Sequence, residues 1–341
     1  MCDVPGSSVV MKLIIQIPCL NEAETLPIAL ADLPKHIPGV DVIETMIIDD
    51  GCTDDTVAVA RAHGVQHVVG FRNNQGLARA FMLGIEACLE RGADIIVNTD
   101  ADNQYNAADI ALLVKPILEE RADLVIGARP INEIQHFSLL KKALQRIGSW
   151  VVRRVSNTDV ADAPSGFRAM SREVAMVLNV FSDYTYTLET IIQAGQKNLR
   201  ISSVPIRVNG ELRPSRLVRS IGGYVRRSIF TMLRIFVVYR PLRFFMTVSA
   251  APFVLGLALG GRFLAYYAQG NGGGHIQSLI LTAVLLMISF QTMLLAVLAD
   301  LQSVNRRLLE DLQQSERARR TGGMARHSER PPRPLDRIAS A

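Results

Sequence analysis

The residues most able to do chemistry are carboxylates in a turn that directly follows an apolar, β-branched run, residues 93–97. Asp100 and Asp102 lie one residue apart in this turn, and Gln104 follows two positions later. Two carboxylates so close repel each other unless a cation lies between them, and hard divalent cations bind through oxygen ligands. Short acidic motifs are common by chance, so the assignment of a cation site here depends on the motifs around it.

A second acidic turn, residues 49–54, follows the apolar run of residues 45–48. It contains Asp49, Asp50 and Asp54 around a glycine. Carboxylates in such a turn could contact a ligand, or they could cap the helix that follows, because helix N-termini leave amide groups unpaired. For Asp54 we favour the capping role.

Strand and helix patterns alternate along the first two thirds of the chain. The apolar runs predict strands, and the segments between them have helical character with stop signals. The predicted strands are residues 13–17, 45–48, 65–69, 93–97, 124–127 and 201–208, and the predicted helices are about 24–33, 55–63, 77–91 and 184–194. This alternation is typical of an α/β fold with a mostly parallel sheet. Ligands of such sheets bind at the carboxyl ends of the strands, where both acidic turns lie.

The last third of the chain has the character of a membrane anchor. The chain of 341 residues is 49% hydrophobic, which is high for a wholly soluble protein. Residues 244–268 are apolar except for Arg262, and residues 276–299 carry no charge, so each can cross a hydrocarbon core of about 30 Å. The short glycine-rich stretch 269–275 joins them. We therefore expect a transmembrane hairpin, with Arg262 anchoring it near the far interface.

Arginines concentrate on both sides of this hairpin. Residues 213–243 combine them with apolar side chains at helical spacing and contain no acidic residue, which predicts basic juxtamembrane helices on an anionic lipid surface. A similar basic amphipathic helix is expected at residues 138–155. Residues 300–320 carry an apolar stripe that would allow pairing with the same helix of a second subunit, giving a homo-oligomer. The asymmetry of positive charge places both termini in the cytoplasm.

Several classes of protein are not expected. The pattern G-x-G-x-x-G does not follow the first strand, which argues against a Rossmann dehydrogenase. The four cysteines have neither metal-ligand spacing nor the density of a disulfide scaffold, so we expect reduced thiols. With a formal net charge of +5 and clustered arginines, the expected counterparts are acidic phospholipids and phosphorylated substrates, and no nucleic acid. The amino terminus lacks the pattern of a cleaved signal.

Four motifs recur in chain order at the ends of the predicted strands. They are Pro18 with Asn21-Glu22, the turn of residues 49–54, Asn74-x-Gly76 with Ala80 and Gly84, and Asp100-Ala101-Asp102-x-Gln104. Together they resemble the family 2 glycosyltransferases with the GT-A fold, and most closely the dolichol-phosphate mannosyltransferase-like branch. Cys52 departs from the serine usual in that family. The resemblance covers residues 12 to about 240 as motifs and implies a Rossmann-like GT-A domain.

The resemblance implies roles for individual positions on the donor side. The residues expected to bind the nucleotide-sugar are Pro18, Leu20, Asn21, Glu22, Gly76, Asp100 and Ala101. Either Asp49 or Asp50 would hydrogen-bond the base, and the sequence leaves both open. Asp100, Asp102 and Gln104 would hold Mg²⁺ or Mn²⁺ against the diphosphate. Residues 213–217 resemble a family segment that closes over the diphosphate. Arg213 and Arg216 are therefore phosphate candidates, because guanidinium groups match phosphate geometry.

The acceptor side is implied by two further motifs. Arg129 ends a glycine-small-arginine sequence, which makes it a candidate for the acceptor phosphate, with Lys141 and Lys142 as helpers. Residues 162–168 match the family's D-x-x-S-G-F-R turn beside the transferred sugar. Within the resemblance, the residues expected to act in catalysis are Asp102, Arg129, Asp162 and Arg213. The sugar pocket is assigned to Ser165, Gly166 and Glu189, although Glu189 fits an exposed helix face equally well.

The resemblance thus predicts a metal-dependent, inverting transfer of one sugar from a nucleotide diphosphate-sugar to polyprenyl phosphate. Two rivals stay open: an enzyme of the same fold acting on a lipid or glycan hydroxyl, and a catalytically dead membrane-anchored partner protein. The predicted organisation is an extension (1–11), a cytosolic GT-A domain (12–212), basic juxtamembrane helices (213–243), a hairpin (244–268 and 276–299) in the cytoplasmic membrane, an amphipathic helix (300–320) and a disordered basic tail (321–341).

Overall fold

The computed structural model describes residues 10–130, 150, 153, 158, 160–180, 186–210, 230, 233–234, 237–270 and 272–320. The candidate residues Lys141, Lys142, Arg213 and Arg216 lie outside the described residues. The same holds for most of the predicted basic helices and for the whole predicted tail. Contacts divide the chain into two compact units. The first comprises residues 1–145, 156–214 and 310–341, and the second comprises residues 146–155 and 215–309.

A seven-stranded mixed sheet forms the centre of the first unit. Its strands are β1 (Lys12–Cys19), β2 (Val42–Asp50), β3 (His67–Phe71), β4 (Ile95–Asn98), β5 (Leu124–Ala128), β6 (Arg168–Ser171) and β7 (Ile201–Pro205). They are ordered β3-β2-β1-β4-β6-β5-β7. Every pairing is parallel except those of β6, which runs antiparallel to β4 and β5. The predicted α/β fold with a mostly parallel sheet is confirmed.

Helices pack on the sheet and bury its central strands. They are α1 (Leu26–Ala31), α2 (Thr56–Ala62), α3 (Leu77–Glu90), α4 (Ile110–Leu118), α5 (Arg172–Val177) and α6 (Thr187–Gln196). Four successive positions of β4 are buried, and so are five successive positions of β1. Such strands bury both faces in parallel sheets, which explains why their sequences are almost continuously apolar.

The helices α4 and α5 and the strand β6 were not predicted from the sequence, and one boundary differs. The strand β6 has the sequence Arg-Ala-Met-Ser and the helix α5 has only six residues, so neither carries a clear periodic signal. Pairing with β4 and β5 makes β6 a strand. The strand β2 continues to Asp50, so Asp49 and Asp50 are its last residues and do not lie in the turn after it.

The second unit contains a pair of long apolar helices, α7 (Pro241–Ala268) and α8 (Ile276–Arg320), joined through a 3₁₀ turn at Gly272–His275. Apolar stretches within them reach mean hydropathies of 1.7 and 2.3, so both are long and apolar enough to cross a membrane. The helices approach each other at glycines. A Cβ atom on Gly256 would lie 3.1 Å from Leu286 Cδ2, and one on Gly260 would lie 3.0 Å from Thr282 Cγ2.

The helix α8 is continuous over 45 residues. The predicted membrane segment, 276–299, and the predicted amphipathic segment, 300–320, therefore lie on one helix. The side-chain character changes between them from apolar to charged, but the backbone hydrogen bonds of a helix do not depend on which solvent faces the side chains. Residues up to Leu309 belong to the second unit, and residues from Glu310 belong to the first.

Candidate active site

Asp100 and Asp102 lie in the turn immediately after β4, at the carboxyl edge of the sheet. Asp102 Oδ1 accepts a hydrogen bond from the Gln104 amide at 3.2 Å, which tightens the turn. The D-x-x-S-G-F-R turn reaches the same place, because a Cβ atom on Gly166 would lie 3.3 Å from both carboxylate oxygens of Asp100. A side chain at position 166 would crowd Asp100, so glycine eases this approach. Two motifs that the sequence places 66 positions apart, at 100 and 166, therefore share one site.

The electrostatics of this turn suit a cation. Burial, followed by the charge of Asp102, raises the pKa of Asp100 to about 7, and the charges of Arg129 and Arg168 oppose that rise. Among the described residues, no group of three or more His, Cys, Asp or Glu side chains could hold a metal by itself. Two carboxylates and an amide are the protein share expected of an ion that also binds phosphate oxygens. The residues present therefore fit a divalent ion brought or shared by a diphosphate.

The segment after β7 is hydrogen-bonded to the turn of residues 99–104, which contains Asp100 and Asp102. The Asn209 amide donates to the Gln104 carbonyl at 2.8 Å, and Asn209 Nδ2 donates to the Asn103 carbonyl at 3.0 Å. Asn106 Nδ2 donates to Asn209 Oδ1 at 3.3 Å. Asn209 thus binds backbone on the two residues that follow Asp102. Sequence analysis missed this residue, since a single asparagine in a loop carries no recognisable signal.

Arg129 and Asp162 form a bidentate ion pair. Arg129 Nε and Nη2 donate to the two oxygens of Asp162 at 2.7 and 3.1 Å, and the Arg129 amide donates to Oδ2 at 3.3 Å. The Asp162 side chain is 1% exposed and that of Arg129 is 17% exposed. A carboxylate held this way orients the guanidinium and keeps part of it open to the site. The sequence had both as candidates but gave no indication that they pair.

A buried polar network supports the turn from beneath. Asn98 Nδ2 donates to the Gly166 carbonyl at 3.0 Å and to Tyr186 Oη at 2.9 Å, while Gln16 Nε2 donates to Asn98 Oδ1 at 2.9 Å. The ring of Tyr186 stacks on Phe81, with the centroids 3.9 Å apart. Sequence analysis missed Asn98 and Tyr186 as site residues. The one available signal was a polar residue at the end of an otherwise apolar strand.

Arg168 is fully buried next to this network. Its guanidinium donates to the Thr187 carbonyl at 3.2 Å and also to the Ser165 carbonyl and Thr190 Oγ1. It lies over the Tyr186 ring, 5.2 Å from the centroid. A buried charge requires such partners, because leaving it unpaired would be costly. Arg168 therefore connects the D-x-x-S-G-F-R turn to the first turns of α6.

The two aspartates that end β2 have different surroundings. Asp50 is buried, and its two oxygens accept hydrogen bonds from the Gln75 and Gly76 amides at 2.8 and 3.1 Å. This carboxylate holds the loop that leads into α3. Asp49 is only half-buried, and its Oδ1 accepts from the Cys52 amide at 2.7 Å. Of the two carboxylates, that of Asp49 is the more accessible.

The loops after β1 and β2 are tied together. Asn21 Oδ1 accepts from the Thr53 amide at 2.8 Å, and the Asn21 amide donates to Cys52 Sγ at 3.3 Å. Burial raises the pKa of the Cys52 thiol to about 11, so it stays protonated and also donates to the Cys19 carbonyl at 3.5 Å. The cysteine therefore makes hydrogen bonds in the place of the family's serine.

The remaining candidates divide into supporting and undecided positions. Asp54 Oδ1 accepts a hydrogen bond at 3.0 Å from the amide of Thr56, the first residue of α2, but the N-cap of this helix is Asp55, whose side chain makes no capping hydrogen bond. Ser165 is buried, and its hydroxyl has no hydrogen-bond partner among the residues that the structure describes. Glu189 is half-buried in the first turn of α6. Pro18 lies near the end of β1 and is half-buried, and Leu20, just after the strand, is exposed.

The mostly parallel sheet, with aspartates at the carboxyl ends of β2 and β4, has the GT-A fold. The sequence model of glycosyl transferase family 2 matches residues 14–178, and the chain belongs to this family. The resemblance inferred from the motifs is thereby confirmed.

Individual proteins resemble the chain in sequence and in fold. The undecaprenyl-phosphate mannosyltransferase of Micrococcus luteus is 27% identical, over 66% of this chain and 93% of the relative. The UDP-N-acetylglucosamine–dolichyl-phosphate N-acetylglucosaminyltransferase of Methanococcus voltae is 28% identical, over 56% and 83%. A crystal structure of glucosyl-3-phosphoglycerate synthase from Mycobacterium tuberculosis, with Mn²⁺, UDP and phosphoglyceric acid, matches with a TM-score of 0.52 at 21% identity, over 66% and 78%.

Proposed function

We propose that the protein transfers one sugar from a nucleotide diphosphate-sugar to polyprenyl phosphate, with inversion, at the cytoplasmic side of a membrane. The observation that carries this proposal is the position of Arg129, whose guanidinium is oriented by the buried carboxylate of Asp162. Arg129 is also close enough to Asp100 for its charge to oppose the rise in the pKa of Asp100. A fixed cation beside a metal turn is what a phosphate acceptor requires. The two sequence relatives, named for undecaprenyl phosphate and dolichyl phosphate, support the same acceptor class.

The donor would bind along the carboxyl ends of β1, β2 and β4. Asp49 would contact the base, while Asp100, Asp102 and Gln104 would hold Mg²⁺ or Mn²⁺. When bound, such an ion neutralises the charge of the departing nucleoside diphosphate. A structural neighbour crystallised with Mn²⁺ and UDP supports a divalent ion and a nucleotide as ligands. Arg213 and Arg216, outside the described residues, stay candidates for the diphosphate.

The acceptor chemistry explains the absence of any need for a strong base. A phosphate monoester oxygen is already anionic near neutral pH, whereas a hydroxyl acceptor has to lose a proton as it attacks. The family resemblance implies that Asp162 is a catalytic carboxylate. With both of its oxygens bound to the guanidinium of Arg129, it fits the role of orienting that arginine. The turn of residues 162–168 would then position the acceptor phosphate against the sugar.

Three observations bear on the rival functions. A catalytically dead partner protein would be expected to lack metal ligands, yet Asp100, Asp102 and Gln104 are all present. A glycosyltransferase acting on another acceptor is the closer rival, because the solved neighbour is a glucosyl-3-phosphoglycerate synthase. Two membrane-length helices favour an acceptor that resides in lipid.

The test is a transfer assay on membranes containing the full chain. Membranes are incubated with a panel of radiolabelled nucleotide-sugars and either polyprenyl phosphate or neutral polyprenol, and the lipid fraction is extracted. We expect label in lipid with one donor, only with the phosphate, and only with Mg²⁺ or Mn²⁺ present. Equal transfer to the neutral polyprenol would contradict the acceptor assignment, and transfer in the presence of a chelator would contradict the metal assignment.

A further inference from the structure

The last turns of α8 pack against the back of the α/β domain, within the same compact unit. Arg317 is the centre of this contact, with its side chain 13% exposed. Its guanidinium donates to the Leu178 carbonyl, to Asn179 Oδ1 at 3.1 Å and to Glu86 Oε1 at 3.0 Å. Gln313, one turn earlier, accepts a hydrogen bond from Asn179 Nδ2. Two side chains of α8 thus bind the residues that directly follow α5.

The same residues are tied to α6. The Asn179 amide donates to Gln193 Oε1 at 2.8 Å, and Gln193 Nε2 donates back to the Asn179 carbonyl. Gln193 is 2% exposed, so this exchange is buried. Lys197, which ends α6, reaches Asp311 at 3.5 Å and Gln314 at 3.4 Å on α8. The carboxyl-terminal half of α6 is therefore held by α8, both directly and through Asn179.

The other half of α6 supports the candidate active site. Tyr186 caps the helix and binds Asn98 beneath Gly166, while Thr187 and Thr190 bind the buried guanidinium of Arg168. Thr190 and Gln193 are three positions apart and lie on the same side of the helix. A single short helix thus has the α8 contact at one end and the supports of Gly166 at the other.

We propose that the end of α8 is a brace that fixes α6, which makes Arg317 a positioning residue for the sugar-transfer site. A helix of ten residues is stabilised mostly by its tertiary contacts, so losing those at one end should loosen the whole element. The catalytic consequence rests on the proposed function. The structural consequence, the ordering of α6, does not.

The chain offers a matched control in Arg320. It lies in the last turn of α8 and lines the same groove, with Glu86, Leu89 and Glu90 of α3 opposite. Its guanidinium pairs with Glu316 of its own helix at 2.5 Å, and its side chain is 70% exposed. Arg320→Ala therefore removes the same charge from the same turn without removing a contact to Asn179.

The experiment compares amide hydrogen exchange in the purified full chain for the wild type, Arg317→Ala and Arg320→Ala. We expect amides of residues 187–196 to exchange about tenfold faster or more in Arg317→Ala, because a charge-assisted hydrogen bond contributes at least that factor to a local opening equilibrium. Residues 56–62 in α2 and the Arg320→Ala protein should be unchanged. Unchanged exchange of α6 in Arg317→Ala, or equal loosening in Arg320→Ala, overturns the brace.

Kinetics provide the second readout. We expect kcat for transfer to fall several-fold in Arg317→Ala, while the Kd of UDP or GDP with Mn²⁺ stays within twofold, because the proposed contact to the nucleotide base is made by Asp49 of β2, away from α6. A parallel loss of nucleotide binding would contradict a role confined to the sugar end. If Arg317→Ala does not fold, Gln313→Ala tests the same contact with smaller effects. A wild type without transferase activity would refute the proposed function, while the exchange experiment would still decide on the brace.

Discussion

At the scale of single residues, the site depends on charges whose partners lie far away in the sequence. Arg129 is oriented by Asp162, 33 positions later, and the charges of Arg129 and Arg168 oppose the rise that burial causes in the pKa of Asp100. Such pairs are worth much more in a half-buried site than on the surface, because water and salt screen exposed charges. Their removal is therefore the sharpest test of the proposed roles.

Arg129→Ala should weaken the use of polyprenyl phosphate far more than the binding of the donor. Losing a charge-assisted phosphate contact costs about 1.5–3 kcal/mol, so we expect the apparent KM for the acceptor to rise by about 10- to 100-fold. Calorimetry with the nucleotide-sugar should show little change. Arg121→Ala is the control, since that arginine is exposed and pairs only with Glu119 nearby in sequence. Loss of donor binding with an unchanged acceptor KM would refute the assignment.

Asp102→Asn should abolish most transfer while the protein folds like the parent. The substitution nearly preserves volume but removes the charge expected to hold the divalent ion. Activity at a fixed donor concentration should collapse, and the midpoint of thermal unfolding without metal should stay close to that of the wild type. Full turnover in this variant, or turnover of the wild type without metal, would show that the turn does not bind a catalytic ion.

At the scale of elements, the active-site loops are held by their neighbours rather than by their own conformational preferences. The turn of residues 99–104 is hydrogen-bonded to the segment after β7. The turn of residues 162–168 is hydrogen-bonded to residues of β4 and α6. Each loop is therefore held by hydrogen bonds to residues distant in the sequence. This arrangement gives rigid placement to residues that are not themselves in helices or strands.

Asn209→Ala should reduce metal affinity without touching a metal ligand. The alanine loses the side-chain hydrogen bonds to Asn103 and Asn106, which are worth about 0.5–1.5 kcal/mol each, so the Kd for Mn²⁺ should rise by roughly 5- to 30-fold. The measurement is electron paramagnetic resonance of Mn²⁺ with UDP or GDP. Arg200→Ala, which removes an ion pair with Asp123 at the start of β5, is the control. Unchanged Mn²⁺ affinity would mean that Asn209 does not organise the turn.

At the scale of the whole molecule, a soluble-type α/β unit and a pair of membrane-length helices occur in one chain. The glycine contacts at Gly256 and Gly260, and a hydrogen bond from Ser289 Oγ to the Ser249 carbonyl at 3.0 Å, hold the two helices together. Small residues allow such close packing in a membrane, where apolar side chains gain little by leaving lipid. The hairpin is therefore expected to return the chain to the side from which it entered.

Gly273→Cys should label from the outside of intact cells with a membrane-impermeant maleimide. The position lies in the 3₁₀ turn between α7 and α8, and the distribution of arginines predicts that this turn lies on the external face. A cysteine at Gln302, on the exposed face of α8 beyond the apolar stretch, should label only after lysis. External labelling at residue 302, or labelling of residue 273 only after lysis, would refute the proposed orientation.

The sequence by itself determined the features that arise from local pattern. The apolar runs of β1, β2, β4 and β5 predicted strands because buried parallel strands are apolar on both faces. The acidic turns after 48 and 97 followed from their position at strand ends, and the two long apolar stretches predicted the hairpin from their length. These signals are local, so no knowledge of the tertiary structure was needed.

Only the tertiary structure decided which polar groups meet. The antiparallel insertion of β6 between β4 and β5, the pairing of Arg129 with Asp162, and the contact of Asn98 with Tyr186, 88 positions later, leave no periodic trace in the sequence. Each depends on the order of strands in the sheet. The free energy of burying a polar group depends on the partner it finds, and folding brings that partner from a distant part of the chain.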